Sequence, residues 1–153
     1  MRVPNAVLLA CTVVILIATV SGCSQRFDGS ARQQYAQGRC LQMQSLQRLD
    51  TAFRSNNVAA INTAARQAAG AAQEVLRALQ RPEWPTPSRH EIQVLQAGEQ
   101  AVASNVRAIA STNSLPEIRR IPAPPHDRIV GLYEADQALR TQVKLYAACS
   151  GQM

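Results

Sequence analysis

The chain has 153 residues with 16 basic and 10 acidic side chains, a net charge of +6 and a mean hydropathy of −0.14. That length allows one small domain with a modest core. The basic balance raises nucleic acid as a partner, but the arginines are spread along the chain and only Arg119 and Arg120 are adjacent. This spacing argues against a nucleic-acid footprint and for solvated helix faces or contact with an anionic surface.

The first residues read as an export signal. Arg2 supplies a basic start, and Ala6 to Val20 form an uncharged apolar run. The run has the length of a signal-peptide core and falls short of the ~20 residues that span a bilayer. Small residues, Ser21 and Gly22, follow it, and then Cys23.

Val20-Ser21-Gly22-Cys23 resembles the lipobox of bacterial lipoproteins: an aliphatic residue, two small ones and a cysteine. Val20 stands where Leu is commoner. The resemblance covers only this N-terminal stretch. It implies that Cys23 is alkylated by a diacylglyceryl group, that residues 1–22 are removed, and that the new amino group takes a further acyl chain such as palmitate. Two or more chains hold a protein stably, since each buried CH₂ contributes about 0.8 kcal/mol. The implied address is the cell envelope: the outer membrane, facing the periplasm, in a Gram-negative organism, and otherwise the outer face of the cell membrane. Ser24 after the cysteine is compatible with outer-membrane sorting.

Residues 23–29 then form a short lipidated tether, and residues 30–153 the domain. The first predicted helix, about 30–55, places Tyr35, Ala36, Cys40, Met43, Leu46, Leu49 and Phe53 on one face. Ser55-Asn56-Asn57 reads as a turn containing N-cap residues. A second helix over 58–80 repeats Ile61, Ala65, Ala68, Ala72, Val75, Leu76 and Leu79. Arg81 to Pro87 breaks it with three prolines. Ser88 and Glu91 match a capping box for a third helix, 88–111, with Ile92, Leu95, Val102, Val106 and Ile109 on its stripe. A proline-rich connection, Leu115 to Pro125, leads to a fourth helix over 127–149 carrying Ile129, Leu132, Ala135, Leu139, Val143, Tyr146 and Cys149.

No strand-like alternation competes, so the expected fold is all-α: an antiparallel up-down-up-down four-helix bundle. Gly38, Gly70, Gly98 and Gly131 place one glycine in each helix, which reads as close helix approach or as kinks. With Cys23 lipidated and Cys11 removed, Cys40 and Cys149 remain, and an oxidising compartment favours pairing them. Up-down-up-down order brings the start of the first helix and the end of the fourth to the same end, so topology and pairing agree. Such a staple contributes about 2–5 kcal/mol.

Chemistry is sparse. There is no Cys-x-x-Cys-His for haem, and the residues three before His90 and His126 are Pro87 and Ala123, not the Glu of a di-iron site. Met43 reads as core and both histidines as exposed residues near helix starts. No nucleophile elbow, zinc-protease or phosphate-loop motif is present. The acidic residues read as scattered over exposed faces, with no inward polar cluster. The expectation is therefore a non-enzyme without catalytic, metal or cofactor residues.

What remains is surface. Trp84, between Pro82 and Pro85, reads as a partner anchor, a lid on the bundle end or a residue inserted among headgroups. Ile118-Arg119-Arg120-Ile121 at the opposite, membrane-distal end reads as a docking segment or a plain crossover loop. The leading expectation is an adapter or assembly factor for another envelope protein, similar in size and plan to helical pilotin lipoproteins, a likeness of architecture alone. The alternative is a ligand-binding, inhibitory or immunity lipoprotein with its site in the bundle core or loops.

Overall fold

Ser30 opens the first helix: its backbone is extended, and its hydroxyl accepts a hydrogen bond from the Gln33 N–H at 3.3 Å. The computed structural model describes residues 30–145, and every regular element among them is helical. In order these are α1 (Ala31–Ser55), α2 (Val58–Leu79), a 3₁₀ turn (Thr86–Ser88), α3 (Arg89–Ser111), the one-turn α4 (Leu115–Ile118) and α5 (His126–Gln142). Cys23 and Cys149 lie outside the described residues, as does Tyr146.

The turn between α1 and α2 works as its asparagines suggest. Asn56 takes the left-handed conformation at φ 53°, and the Asn57 side chain accepts from the Ala60 N–H at 3.2 Å. So short a connection forces α2 back along α1. Two apolar clusters show that the alternation continues. One, the lower, joins Tyr35 of α1, Val75 and Leu79 of α2, Ile92 and Leu95 of α3, Leu139 of α5 and Val143 just past its end. The other, the upper, joins Leu49, Ile61, Ala65, Val106, Ile109 and Ile118 at the opposite end. Each long helix thus reverses the one before it, as in a bundle.

Close backbone packing runs from α1 to α2, α2 to α3 and α3 to α5. Two glycines permit it. A Cβ on Gly38 would lie 3.1 Å from Val75 Cγ2, and one on Gly98 would lie 2.8 Å from both Cβ and Cδ1 of Leu132. Gly70 has no such neighbour, so close approach explains two of the four glycines and not that one.

Several local expectations are corrected. Ser88 and Glu91 do not form a capping box: Ser88 follows the 3₁₀ turn with ψ 6°, is buried, and donates its hydroxyl to Gln142 Oε1 at 2.8 Å. The fourth long helix stops at Gln142 rather than running on to 149. Lys144 adopts φ 53°, and the bonds from Leu145 N–H to Arg140 O and from Lys144 N–H to Thr141 O complete a Schellman stop. The buried face of α1 keeps Tyr35, Ala36 and Leu49 as expected but takes in Arg39, Gln42 and Ser45 between them, while Cys40 and Leu46 are part-buried and Met43 is 50% exposed. Ile129, expected inside, is 39% exposed.

The glycine contacts give opposite expectations for one substitution type. Gly98→Ala should destabilise the fold by about 1–3 kcal/mol through overpacking against Leu132. Gly70→Ala should stabilise it by about 0.5–1 kcal/mol, because an open helix-interior site gains propensity alone. Urea unfolding of the two variants beside the parent protein checks both signs.

Candidate functional site: a buried ionic network and an exposed apolar helix face

Between the two apolar clusters the bundle is polar. Between the clusters the buried residues of α2 are the small Ala71 and Ala72. The space they leave is filled by long polar residues of α1, α3 and α5. Glu99 is 0% exposed, and Arg39, Gln42 and Asp136 are also buried. Arg39 Nη1 donates to Glu99 Oε1 at 2.7 Å and to Gln42 Oε1 at 2.5 Å. Gln42 Nε2 donates to the other Glu99 oxygen. Asp136 accepts from the Tyr35 hydroxyl and, at 2.9 Å, from Arg140 Nε. Arg39 Nε stands 3.5 Å from Asp136 Oδ1 and makes no hydrogen bond.

Two arginines thus face two carboxyl groups, so the formal charges balance. Burial holds the Glu99 carboxyl above the usual carboxylate range, against the lowering effects of Arg39 and of the Gln42 hydrogen bond. The Tyr35 hydroxyl is pushed up by burial first and by the charge of Asp136 second. A network of this kind gives modest net stability relative to an apolar core, but removing one member strands a buried charge. The expectation of no inward polar cluster is therefore overturned: Glu99 and Asp136 are buried, and their partners make that burial tolerable.

The expected surface residues separate into buried and exposed sets. Trp84 is part-buried: its Nε1–H donates to Ala78 O at 2.8 Å, and its ring meets Tyr35 edge-on at 5.8 Å between centroids. It therefore closes the lower apolar cluster. Ile118 is 2% exposed and Ile121 partly buried, both packed on the upper cluster. Arg119 and Arg120 stay exposed. Arg119 Nη2 donates to Asn56 Oδ1 at 2.7 Å, fixing the segment to the α1–α2 turn. Cys40 is part-buried on α1 and its Sγ lies 3.9 Å from Gln44 Nε2.

Sequence reasoning missed two features. The first is the network. The second is an outward face on α5, where Ile129, Val130 and Tyr133 are 39, 40 and 61% exposed. Among the described residues, no group of three His, Cys, Asp or Glu is placed to hold a metal ion, and no helix is long and apolar enough to cross a membrane. The grooves at the α1–α2 seam and between α3 and α5 are open to solvent. No protein family, curated protein or solved structure matches this chain.

Arg39→Met should cost about 3–5 kcal/mol, because it leaves Glu99 buried without its cation. Adding Glu99→Leu to that variant should recover part of the loss, and urea unfolding of the cycle reads the coupling. The pH dependence has a definite sign. A carboxyl whose folded pKa is raised favours the folded state below its unfolded value, and that contribution is lost as pH rises through the folded value. Arg39→Met removes the largest lowering influence on Glu99, so its deficit should shrink as pH falls toward the ordinary Glu value of 4.5. A deficit that stays constant or grows on acidification would contradict this assignment.

Proposed function

We propose that the protein is a lipid-anchored envelope lipoprotein whose helical bundle serves as a non-enzymatic adapter for another envelope protein. The observation that carries the reading is the filling of the bundle interior. Two apolar clusters and the intervening ionic layer occupy it, so recognition falls to the outer surface. A packed core with open grooves favours an adapter over a module that holds a small molecule between its helices.

The N-terminal pattern supports the anchor. α1 begins at Ala31, eight residues after Cys23, so the lower cluster would face the membrane and the Arg119–Arg120 end would face away. We propose, too, that Cys40 pairs with Cys149. The support is topological: Tyr35 and Arg39 of α1 meet Asp136 of α5, and α5 ends beyond that level, on the side where α1 begins. At the distal end Arg119 and Arg120 are the exposed part of the expected docking segment, and the Arg120 side chain makes no hydrogen bond or ion pair among the described residues.

The anchor is tested by fractionating cells that express the full chain and its Cys23→Ser variant. The parent protein should partition with membranes and yield an acylated N-terminal peptide on mass spectrometry, whereas the variant should lose both. A Cys23→Ser protein that is cleaved, unlipidated and still membrane-bound defeats the reading. In the same samples, free thiols on Cys40 and Cys149 of exported protein would refute the pairing.

A further inference from the structure

Three of the four large apolar side chains that the described residues leave exposed, Ile129, Val130 and Tyr133, fall within five residues of α5. Their spacing puts them on an outward strip, turned round the helix from the buried Leu132, Ala135 and Leu139. A helix that is apolar on two sides is one with neighbours on two sides. Here α3 supplies only the first.

The charges beside the strip indicate the second neighbour. Asp127 and Glu134 lie two turns apart along one flank of α5. Glu134 shares a groove of about 360 Å³ with His90 and Glu91 of α3, lined also by Gly131 and Ala135. Among the described residues, none of these three carboxylates has a hydrogen bond or ion pair to another side chain, and Glu91 Oε2 is buried without a hydrogen-bond partner. Elsewhere five of the six described carboxylates, Asp50, Glu74, Glu83, Glu99 and Asp136, each hold an arginine, and Glu117 does not. On a chain with 16 basic and 10 acidic residues, carboxylates without cations beside an exposed apolar strip mark a missing complement.

We infer that the outer face of α5 binds an amphipathic helix of another protein, with apolar side chains on Val130 and Tyr133 and a basic edge on Glu91 and Glu134. The strip favours a segment over a second copy of this chain. Three partly exposed side chains offer on the order of 250 Å², well short of the roughly 800 Å² that each side of a stable dimer contributes. A helix laid in a groove needs only a few anchors at helical spacing. The adapter reading supplies the expectation that such a partner exists in the envelope, while the surface itself is measurable without it.

The test uses the mature chain and three synthetic 18-residue amphipathic helices, with leucine on one face and lysine, glutamine or glutamate on the other. The lysine helix should bind at least tenfold more tightly than the glutamine helix, the glutamate helix most weakly, and the preference should fade with added salt. Tyr133→Asp should weaken lysine-helix binding at least tenfold, and Glu91→Gln with Glu134→Gln should abolish the preference for lysine. Circular dichroism should stay at the parental value for every variant, and so should the urea midpoint of Tyr133→Asp, whose side chain is 61% exposed. Equal binding of the three helices, or binding indifferent to these substitutions, overturns the inference. So does a dimer in sedimentation velocity that Tyr133→Asp dissociates, because it assigns the face to a second copy. A soluble Cys23→Ser protein that still prefers the lysine helix separates this surface from the fate of the anchor.

Discussion

Glu99 is the constraint to which the middle of the bundle answers. A carboxylate with no exposed surface is tolerable only if both oxygens are met, and they are met from one helix, by Arg39 and Gln42 of α1. That requirement fixes the rotation of α1, turning Arg39 and Gln42 inward and Met43 outward. It also fixes the composition of α2, whose alanines leave room for the longer side chains at that level. The same arginine stands beside Asp136, so the interaction that orients α1 against α3 also reaches α5. The backbones of α1 and α5 are not among the closely packed pairs, and hydrogen-bonded side chains span the gap between them.

The all-helical architecture and the order of its long elements were legible because caps, prolines and apolar spacing all pointed the same way. Asn57 before Val58, the Pro82–Pro87 break and the α2 stripe from Ile61 to Leu79 needed no tertiary information. The network was harder to see because it hides within that periodicity. Arg39 and Gln42 continue the spacing of Tyr35, Leu46 and Leu49. Glu99 falls between Leu95 and Val102, and Asp136 between Leu132 and Leu139. A reading that collects only apolar positions skips over these residues and puts Cys40 and Met43 in the place of Arg39 and Gln42. The available signal was a charge in the inward register of three helices, with signs that can cancel. Ser88 illustrates a different limit: its spacing to Glu91 is correct for a capping box, but the preceding 3₁₀ turn buries the hydroxyl beside Gln142. Local patterns propose caps, and tertiary packing decides whether the hydroxyl is free to form one.

The segment from Leu115 to Ile121 shows how apolar residues in a loop divide their work. Ile118 plugs the upper cluster and Leu115 and Ile121 pack beside it, because α5 begins only at His126 and leaves that end of the fourth position to be filled. The adjacent arginines stay outside for the same geometric reason, since one helical turn cannot bury both of its sides.

α5 follows the same logic on a larger scale. Its inner side is committed twice, to apolar contacts through Leu132 and Leu139 and to polar ones between Asp136 and Tyr35 and Arg39 of α1. Its position therefore does not depend on what happens at Ile129, Val130 and Tyr133. A helix held this firmly from one side can present an apolar strip on the other without being drawn into the core, because turning it would expose Leu132 and break the bonds at Asp136. The ionic layer so accounts for the exposure of the strip: it keeps the outer face in place and available, and the unpaired carboxylates beside it bias that face toward a basic neighbour.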